Sequence, residues 1–422
     1  MLSLFTQLSS LRSQLPFDLA LLPPGACLVG GAVRDALLGR KREYLDWDFV
    51  LPEAAIETAR AIAGQYQAGF VILDKARHIA RVVFPQATVD FARQEGDCLE
   101  TDLHRRDFTI NAIAYDLHHE TLIDPLNGVR DLEKGLLKMI AAENLADDPL
   151  RLLRAYRQAA QLRFKIDSPT RLTIGELSPL LGQVAAERVQ SELSYLLANP
   201  QGNDWLLAAW QDGLLKPWFK QTTLAKIQQA HQVDKAIADL KTTLSSQQYD
   251  HFLQVLDKKG VQTAKLANLV SPVLEIAELE LENLKYSRQE SRAVIAILKS
   301  LTLLAQPDLI LNLRSQYFLF LEVGKYFPIL VLFALANQFD PSKIHFLLNR
   351  YLNPRDRVAH PQPLIKGNDL IQTLQIKPSP LIGKLLTEIQ IAQIENKINT
   401  PEEALLFADF LVKSKQLVNS LR

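Results

Sequence analysis

Two aspartates stand two positions apart in an apolar run, in the LDWDFV segment that closes LVGGAVRDALLGRKREYLDWDFV, residues 28–50. Alternation along a strand puts positions i and i+2 on one face, so Asp46 and Asp48 point one way while Leu45, Trp47 and Phe49 point into a core. Two buried carboxylates without partners are costly, and a divalent cation removes that cost. Two Mg²⁺ ions held roughly 3.5–4 Å apart are the usual apparatus for in-line nucleotidyl transfer; one activates the attacking hydroxyl and both stabilise charge on the phosphoryl group. Mg²⁺ prefers one or two carboxylates plus substrate phosphates to an all-protein cage. The bland alternative is an exposed Asp-x-Asp at a strand end, paired with Lys41 or Arg42. Gly30-Gly31 just upstream favours the chemical reading. A strand, a glycine pair and a helix start let backbone N–H groups approach phosphate oxygens. Asp90 in TVDFA falls on a neighbouring strand and is a candidate third carboxylate, with a structural role as the alternative.

These residues need a scaffold, and the first third of the chain offers one. ACLVGG reads as a strand running into a glycine turn, AVRDALLG as a helix closed by Gly39, and AAIETARAIAGQY as a second helix. HIARVVF and TVDFA flank Pro85-Gln86-Ala87 as a hairpin. FTINAIAYDL and the turn-rich DPLNG follow. After about residue 140 strand signals nearly vanish and helical periodicities take over, as in RLLRAYRQAAQLRF, ERVQSELSYLLAN, SRAVIAILKSLTLLA and EALLFADFLVKSKQL. The expected architecture is an α+β head followed by an all-helical remainder.

The chain's 422 residues call for more than one core. Its 47 basic and 47 acidic side chains cancel, which leaves room for a local basic groove that binds phosphates. Cys27 and Cys98 are far apart and lack a metal-ligand pattern, so neither a disulfide scaffold nor a zinc site is expected, and a reducing cytoplasm fits. The N-terminus lacks the apolar run of a signal peptide. YFLFLEVGKYFPILVLFALA is interrupted by Glu322, Lys325 and Pro328 and reads as buried helices, so no membrane partner is expected.

LVGGAVRD, the DWD pair, RRDFTINAIA at 105–114, IDPLNGVRDLEKGLLK and DDPLRLLRAYRQAAQLRF together resemble the class II tRNA nucleotidyltransferases, the CCA-adding enzymes and their bacterial poly(A) polymerase relatives. The resemblance is dense over residues 25–195 and returns in the tail segment PLIKGNDLIQTLQIKPSPLIGKLLTEIQIAQIENKINTPEEAL; residues 200–350 carry no recognisable motif. It implies a polymerase-β-like mixed sheet in a catalytic head over 1–139, a neck with a nucleotide-template helix over 140–199, a helical body over 200–285 and a tRNA-binding helical tail over 286–422. It implies Mg²⁺ on Asp46, Asp48 and Asp90, and nucleotide contacts from Gly30, Gly31 and Arg34 of LVGGAVRD. A tRNA 3′ end, CTP and ATP are the implied partners, in a cytoplasmic enzyme expected to be a monomer.

The same resemblance gives Arg106, Asp107 and Asn111 the ribose. Asp107 and Asn111 lie four apart and share a face if the segment is helical; a helix-capping Asp107 is the alternative. Asp148 and Arg151 offer an acceptor and a forked donor at a helix start. That pair matches the cytosine edge, and adenine after a small shift, so the protein itself would serve as template. Asp148 before Pro149 also makes a good helix start. Arg154 and Arg157 continue at spacing three and would grip a triphosphate, or else pair with acids along the helix. Glu187-Arg188 is expected to be structural. The helical remainder would hold RNA by shape and phosphate contacts.

Three departures from the family pattern bear on the product. The link from Gly31 to Asp46 is slightly long, the template motif begins Asp147-Asp148 rather than Glu-Asp, and only 14 residues, FARQEGDCLETDLH, separate Asp90 from Arg105. Members that add the whole CCA usually carry a longer mobile loop there, implicated in switching from CTP to ATP. The expectation is therefore addition of the two cytidines, with a separate A-adding enzyme completing the end. Full CCA addition, poly(A) polymerase activity and a non-catalytic RNA-binding module are the alternatives.

Overall fold

The computed structural model describes Leu8 and residues 11–40 and 44–414. Lys41 and Arg42, the suggested partners of an exposed Asp-x-Asp, lie outside the described residues. The chain divides into two compact units, one ending at Pro217 and one starting at Trp218.

The first unit holds a seven-stranded mixed sheet. Its strands are β1 (Cys27–Val29), β2 (Leu45–Leu51), β3 (Gly69–Asp74), β4 (Ile79–Phe84), β5 (Ala87–Arg93), β6 (Ala114–Asp116) and β7 (Thr121–Ile123), in the spatial order β3-β4-β5-β2-β1-β6-β7. Only β2 and β5 pair parallel; every other neighbour is antiparallel. β4 and β5 form the expected hairpin, with Pro85-Gln86 as its two-residue loop. Phe84, Phe91, Trp47 and Phe49 fill one side with Phe17; the Phe49 and Phe91 rings stack at 5.6 Å. Burying two to three large aromatic side chains contributes several kcal/mol, roughly 1.5–3 each, and fixes the register. A slip by one residue would drive Asp46 and Asp48 into this apolar layer.

Helix α1 (Gly31–Leu37) follows β1, and α2 (Ala55–Tyr66) covers the aromatic side of the sheet; α3 (Leu99–His104) and α4 (Gly128–Glu133) flank β6 and β7 in sequence. Beyond them, α5 (Ala142–Asp147), α6 (Leu150–Leu162), α7 (Ser168–Leu177), α8 (Ala186–Ala198) and α9 (Asn203–Gln211) complete the unit. RRDFT does not begin an α-helix. Phe108 bridges to Met139, and only Thr109–Asn111 coil, as a 3₁₀ turn. α4 packs directly onto this backbone: a Cβ on Gly128 would sit 2.3 Å from the Thr109 carbonyl oxygen.

The second unit is helical throughout its described residues. The apolar stretch over 313–336 is two helices, Leu313–Val323 and Phe327–Ala336, broken by a turn at Gly324, where φ is +52°. Nearly every side chain of the second helix is buried within the unit, as the sequence reading expected. Family-level boundaries at 139/140, 199/200 and 285/286 remain proposals beside the single break after Pro217.

Candidate active site

β2 delivers both aspartates to the sheet face opposite its aromatic side. Asp46 is exposed and Asp48 half-buried, while Trp47 and Phe49 are only 2% and 1% exposed. The register continues this face across the sheet. Asp48 lies beside Asp90 on β5, Asp90 beside Arg81 on β4, and Arg81 beside Val71 on β3. One step down the strands, Asp46 lies beside Thr88, whose hydroxyl donates to Asp46 Oδ1 at 2.5 Å.

Gly30 closes the face from the other side. Its φ of +72° and ψ of −135° suit only glycine. A Cβ there would lie 3.5 Å from Asp48 Oδ2 and 3.7 Å from Arg106 Nη1, so the glycine backbone, the carboxylate and the guanidinium converge. Gly31 opens α1. That helix has only seven residues, so what it offers an anion is mainly the N–H groups of its first turn. Arg106 donates through Nη2 to Asp102 at 3.0 Å, while its Nε and that of Arg154 are buried without a hydrogen-bond partner among the described residues.

Burial lifts the Asp48 carboxyl above the usual carboxylate range; Asp90 and Asp46 push the same way, and Arg106 and Arg154 only partly oppose them. A face that resists carrying its own negative charge is one that a divalent cation would stabilise. Asp46 and Asp48 therefore fit such an ion. Asp90 is differently placed. Arg81 holds it bidentately, Nε to Oδ1 at 2.7 Å and Nη2 to Oδ2 at 2.8 Å, and no group of three or more acids or other ligand side chains among the described residues is arranged to hold a metal.

Asp107 and Asn111, expected at the ribose, belong to a buried network. Asn111 Nδ2 donates to Asp107 Oδ1 at 2.9 Å and to Gln158 Oε1 at 3.0 Å, and Asn111 Oδ1 accepts from Arg34 Nη1 at 2.7 Å. Asp107 and Asn111 thus meet as expected, across a 3₁₀ turn rather than along an α-helix. Asp107 also accepts from the Phe108 N–H at 2.8 Å and faces Arg154 Nε at 3.4 Å. Burial alone would raise its pKa; Arg154, the Asn111 and Phe108 hydrogen bonds and Arg151 outweigh it and hold the carboxyl below the usual range. Arg34 is only 7% exposed and is tied to Asp35 as well as to Asn111. It sits beneath the face, joining α1 to the 3₁₀ turn.

On α6 the outcome is mixed. Asp148 precedes the helix and does not cap it; its Oδ2 accepts from Arg188 Nη2 at 2.9 Å. Arg151 Nη1 donates to two backbone carbonyls, Arg105 at 2.9 Å and Asn144 at 2.7 Å. Those bonds fix one end of its guanidinium and aim the other. Arg157 pairs with Glu192 of α8 and donates to Gln161 Oε1 at 2.6 Å, and Arg154 Nη1 lies 3.9 Å from Glu192. Arg154 and Arg157 thus meet acids contributed by other elements, Asp107 and Glu192, rather than by their own helix.

Several contributors escaped sequence reasoning. Arg81, Asp102, Gln158 and Glu192 form no motif; Gln158 and Glu192 meet their partners across elements far apart in sequence, while Arg81 and Asp102 pair over only nine and four positions. The Glu187-Arg188 motif, expected to be structural, places Arg188 against Asp148. Beside these residues a cleft of about 720 Å³ is lined by Asp46, Arg34, Arg40, Arg157, Arg163 and Tyr195, among others.

Comparison with known proteins accords with this geometry. Residues 26–138 match the poly A polymerase head domain, 163–226 the probable RNA and SrmB-binding site of polymerase A, and 256–408 the putative domain 2 of tRNA nucleotidyltransferase. The chain is 60% identical over 418 residues to the CC-adding tRNA nucleotidyltransferase of Synechocystis, covering 98% of this chain and 100% of that one. It is 42% identical over 185 residues to the CC-adding tRNA nucleotidyltransferase of Geobacter sulfurreducens, 43% of each chain. A CCA-adding enzyme solved with ATP shares the fold, with a TM-score of 0.69 at 22% identity over 98% of this chain and 94% of that one. A mixed-sheet head carrying paired aspartates beside a glycine turn, joined to a helical remainder, and matched end to end by such a relative, places this chain in the tRNA nucleotidyltransferase and poly(A) polymerase family.

Proposed function

We propose that the protein adds the two cytidines of the CCA end to tRNA, using CTP and releasing pyrophosphate. The observation that carries the reading is the Asp46–Asp48 face beside Gly30 and Arg106, together with 60% identity along the whole chain to a CC-adding relative. Members of this family depend on a divalent metal; we take it to be Mg²⁺, held by Asp46 and Asp48, where it would supply charge stabilisation at the transferring phosphorus. Gly30, Gly31 and Arg106 receive the triphosphate. The RNA 3′ oxygen bonds to the α-phosphorus as the bond to the bridging oxygen breaks, pyrophosphate leaves, and the hydroxyl proton departs toward the exposed Asp46 end. Asp148 and Arg151 read the cytosine edge, the first held in place by Arg188 and the second by backbone carbonyls. The setting is cytoplasmic, and the RNA partner is a tRNA lacking its end.

The short link supports a stop at CC. Phe91–Arg93 finish β5 and Leu99–His104 form α3. Between them Glu95 N–H donates to the buried Asp102 at 3.1 Å, and Arg105 pairs with Glu95. A tied segment of this kind leaves little chain for a lever that would re-aim the template pair toward ATP. The test is product length on tRNA truncated before its CCA end, resolved by gel, with CTP alone and with CTP plus ATP. The expected product ends in CC under both conditions. Efficient extension to CCA at physiological ATP overturns the stopping point, and no incorporation of either nucleotide overturns the enzyme.

A second expectation concerns selection. Arg151→Ala should raise the KM for CTP and erode CTP/UTP discrimination by about tenfold or more, the loss of one charge-assisted partner at about 1.5–3 kcal/mol, with RNA binding little changed. Steady-state kinetics with both nucleotides measures it; unaltered discrimination would leave Arg151 as a clamp on the Arg105 and Asn144 carbonyls alone.

A further inference from the structure

Resting on the nucleotide-adding reading, we propose that Arg81 is the seat of the RNA's last phosphodiester, and that until the RNA arrives it keeps Asp90 out of the metal-binding set. The argument starts from the two sides of the Asp46–Asp48 pair. Gly30 and Arg106, which converge on Asp48, come from the β1 and β6 side of the sheet. An in-line displacement brings the nucleophile to phosphorus from the side opposite the leaving pyrophosphate. The attacking hydroxyl therefore arrives over β5, β4 and β3. Among the described residues, the strands on that side present one cation on this face, Arg81, whose side chain is 41% exposed. It is flanked by Val71 across on β3 and Val83 two residues on along β4, 50% and 41% exposed, on the same face. A guanidinium between two exposed apolar side chains suits a nucleotide, with phosphate on the cation and ribose or base over the valines.

Asp90 gives this seat a second consequence. Both of its oxygens are taken by Arg81, so a third carboxylate lies beside Asp48 but is neutralised by its own counter-ion. A phosphodiester is also a bidentate acceptor for arginine. Exchange of Asp90 for the RNA phosphate on Arg81 frees Asp90 to turn toward Asp48. Full assembly of the acidic face is then coupled to the presence of the RNA, and an Mg–CTP complex without RNA meets an incomplete one.

The test is Mn²⁺ binding by calorimetry without RNA, alongside steady-state kinetics, for wild type, Arg81→Ala, Arg81→Lys and Asp90→Asn. Arg81→Ala should bind Mn²⁺ about tenfold tighter than wild type, since it loses a nearby positive charge and releases a carboxylate. Its KM for RNA should rise about tenfold while the KM for CTP stays near wild type. Arg81→Lys keeps the charge, guards against a folding artefact and should recover much of the RNA KM. Asp90→Asn, which leaves the Arg81 charge unpaired, should bind Mn²⁺ no more tightly than wild type in the absence of RNA. Unchanged or weaker Mn²⁺ binding by a folded Arg81→Ala, or an unchanged KM for RNA, overturns the proposal. Failure of wild type itself to incorporate CTP defeats the functional reading instead, and the Mn²⁺ comparison still decides whether Arg81 withholds Asp90.

Discussion

Replacing Asp48 by alanine is expected to lower cytidine incorporation by about a thousandfold or more, a loss of roughly 4 kcal/mol of transition-state stabilisation, without weakening the metal-free fold. The same is expected of Asp46→Ala. The two halves of this expectation come from one cause. Asp48 is lifted above the usual carboxylate range by its burial and by Asp90 and Asp46, so at neutral pH its ionised form works against the folded state. A group with a raised folded-state pKa stabilises the fold at low pH and costs stability once pH passes that value. Removing it should leave the melting temperature in EDTA equal to or above wild type. Asp46 is exposed, and among the described residues its side chain accepts a hydrogen bond from Thr88 alone, so its loss should be nearly neutral for stability. Single-turnover incorporation and thermal melts in EDTA measure both. Near-normal turnover by both variants would remove the metal role from the pair, and a large drop in melting temperature would make the carboxylates structural.

What the sequence carried about this site was local. The Asp-x-Asp strand, the glycine turn, the helix closed at Gly39 and the Pro85-Gln86 hairpin each follow from a pattern within a few residues, and each is where it was expected. Resemblance extended this to a head and a helical remainder. Three things were not legible. Asp107 and Asn111 would share a face if the RRDFT segment were helical, but only Thr109–Asn111 coil, as a 3₁₀ turn, with Gly128 packed on the Thr109 carbonyl. The partners of the arginines could not be read, since Arg81 finds Asp90 through strand register, and Arg154 and Arg157 find Glu192 on another helix. The third was Asp148, whose place before a proline suggested a cap. Its carboxylate turns instead to Arg188, forty positions on. Pairings across elements depend on how the elements pack, and spacing within one segment does not encode them.

Asp107 should behave opposite to Asp48. Its carboxylate is 7% exposed and balances Arg154 while accepting from Asn111 and the Phe108 N–H. Truncation to alanine leaves the buried Asn111 without its acceptor and the part-exposed Arg154 without its counter-ion. Losing that buried acceptor costs about 1–3 kcal/mol, the ion pair itself being partly screened because the Arg154 side chain is 38% exposed; for a unit of this size that is a fall of roughly 5 °C in Tm. Asp107→Asn retains the shape and one acceptor and should cost less. The pH dependence separates charge from packing. Because the folded-state pKa of Asp107 is depressed, its ionic contribution is fully present above the unfolded carboxylate value near about 4 and is lost as pH falls through the lower folded value. The stability gap between wild type and Asp107→Asn should therefore be widest at neutral pH and narrow below about pH 4, whereas the additional deficit of Asp107→Ala, which comes from missing contacts, should persist. Denaturation curves at pH 7 and pH 3.5 for the three proteins make the comparison. If Asp107→Ala melts like wild type and loses only its preference for ribonucleotides over deoxynucleotides, the carboxylate serves the substrate alone. If stability falls as described, Asp107 is first the anchor of the Arg34–Asn111–Gln158 network, and whatever reading of the ribose takes place there depends on that network being intact.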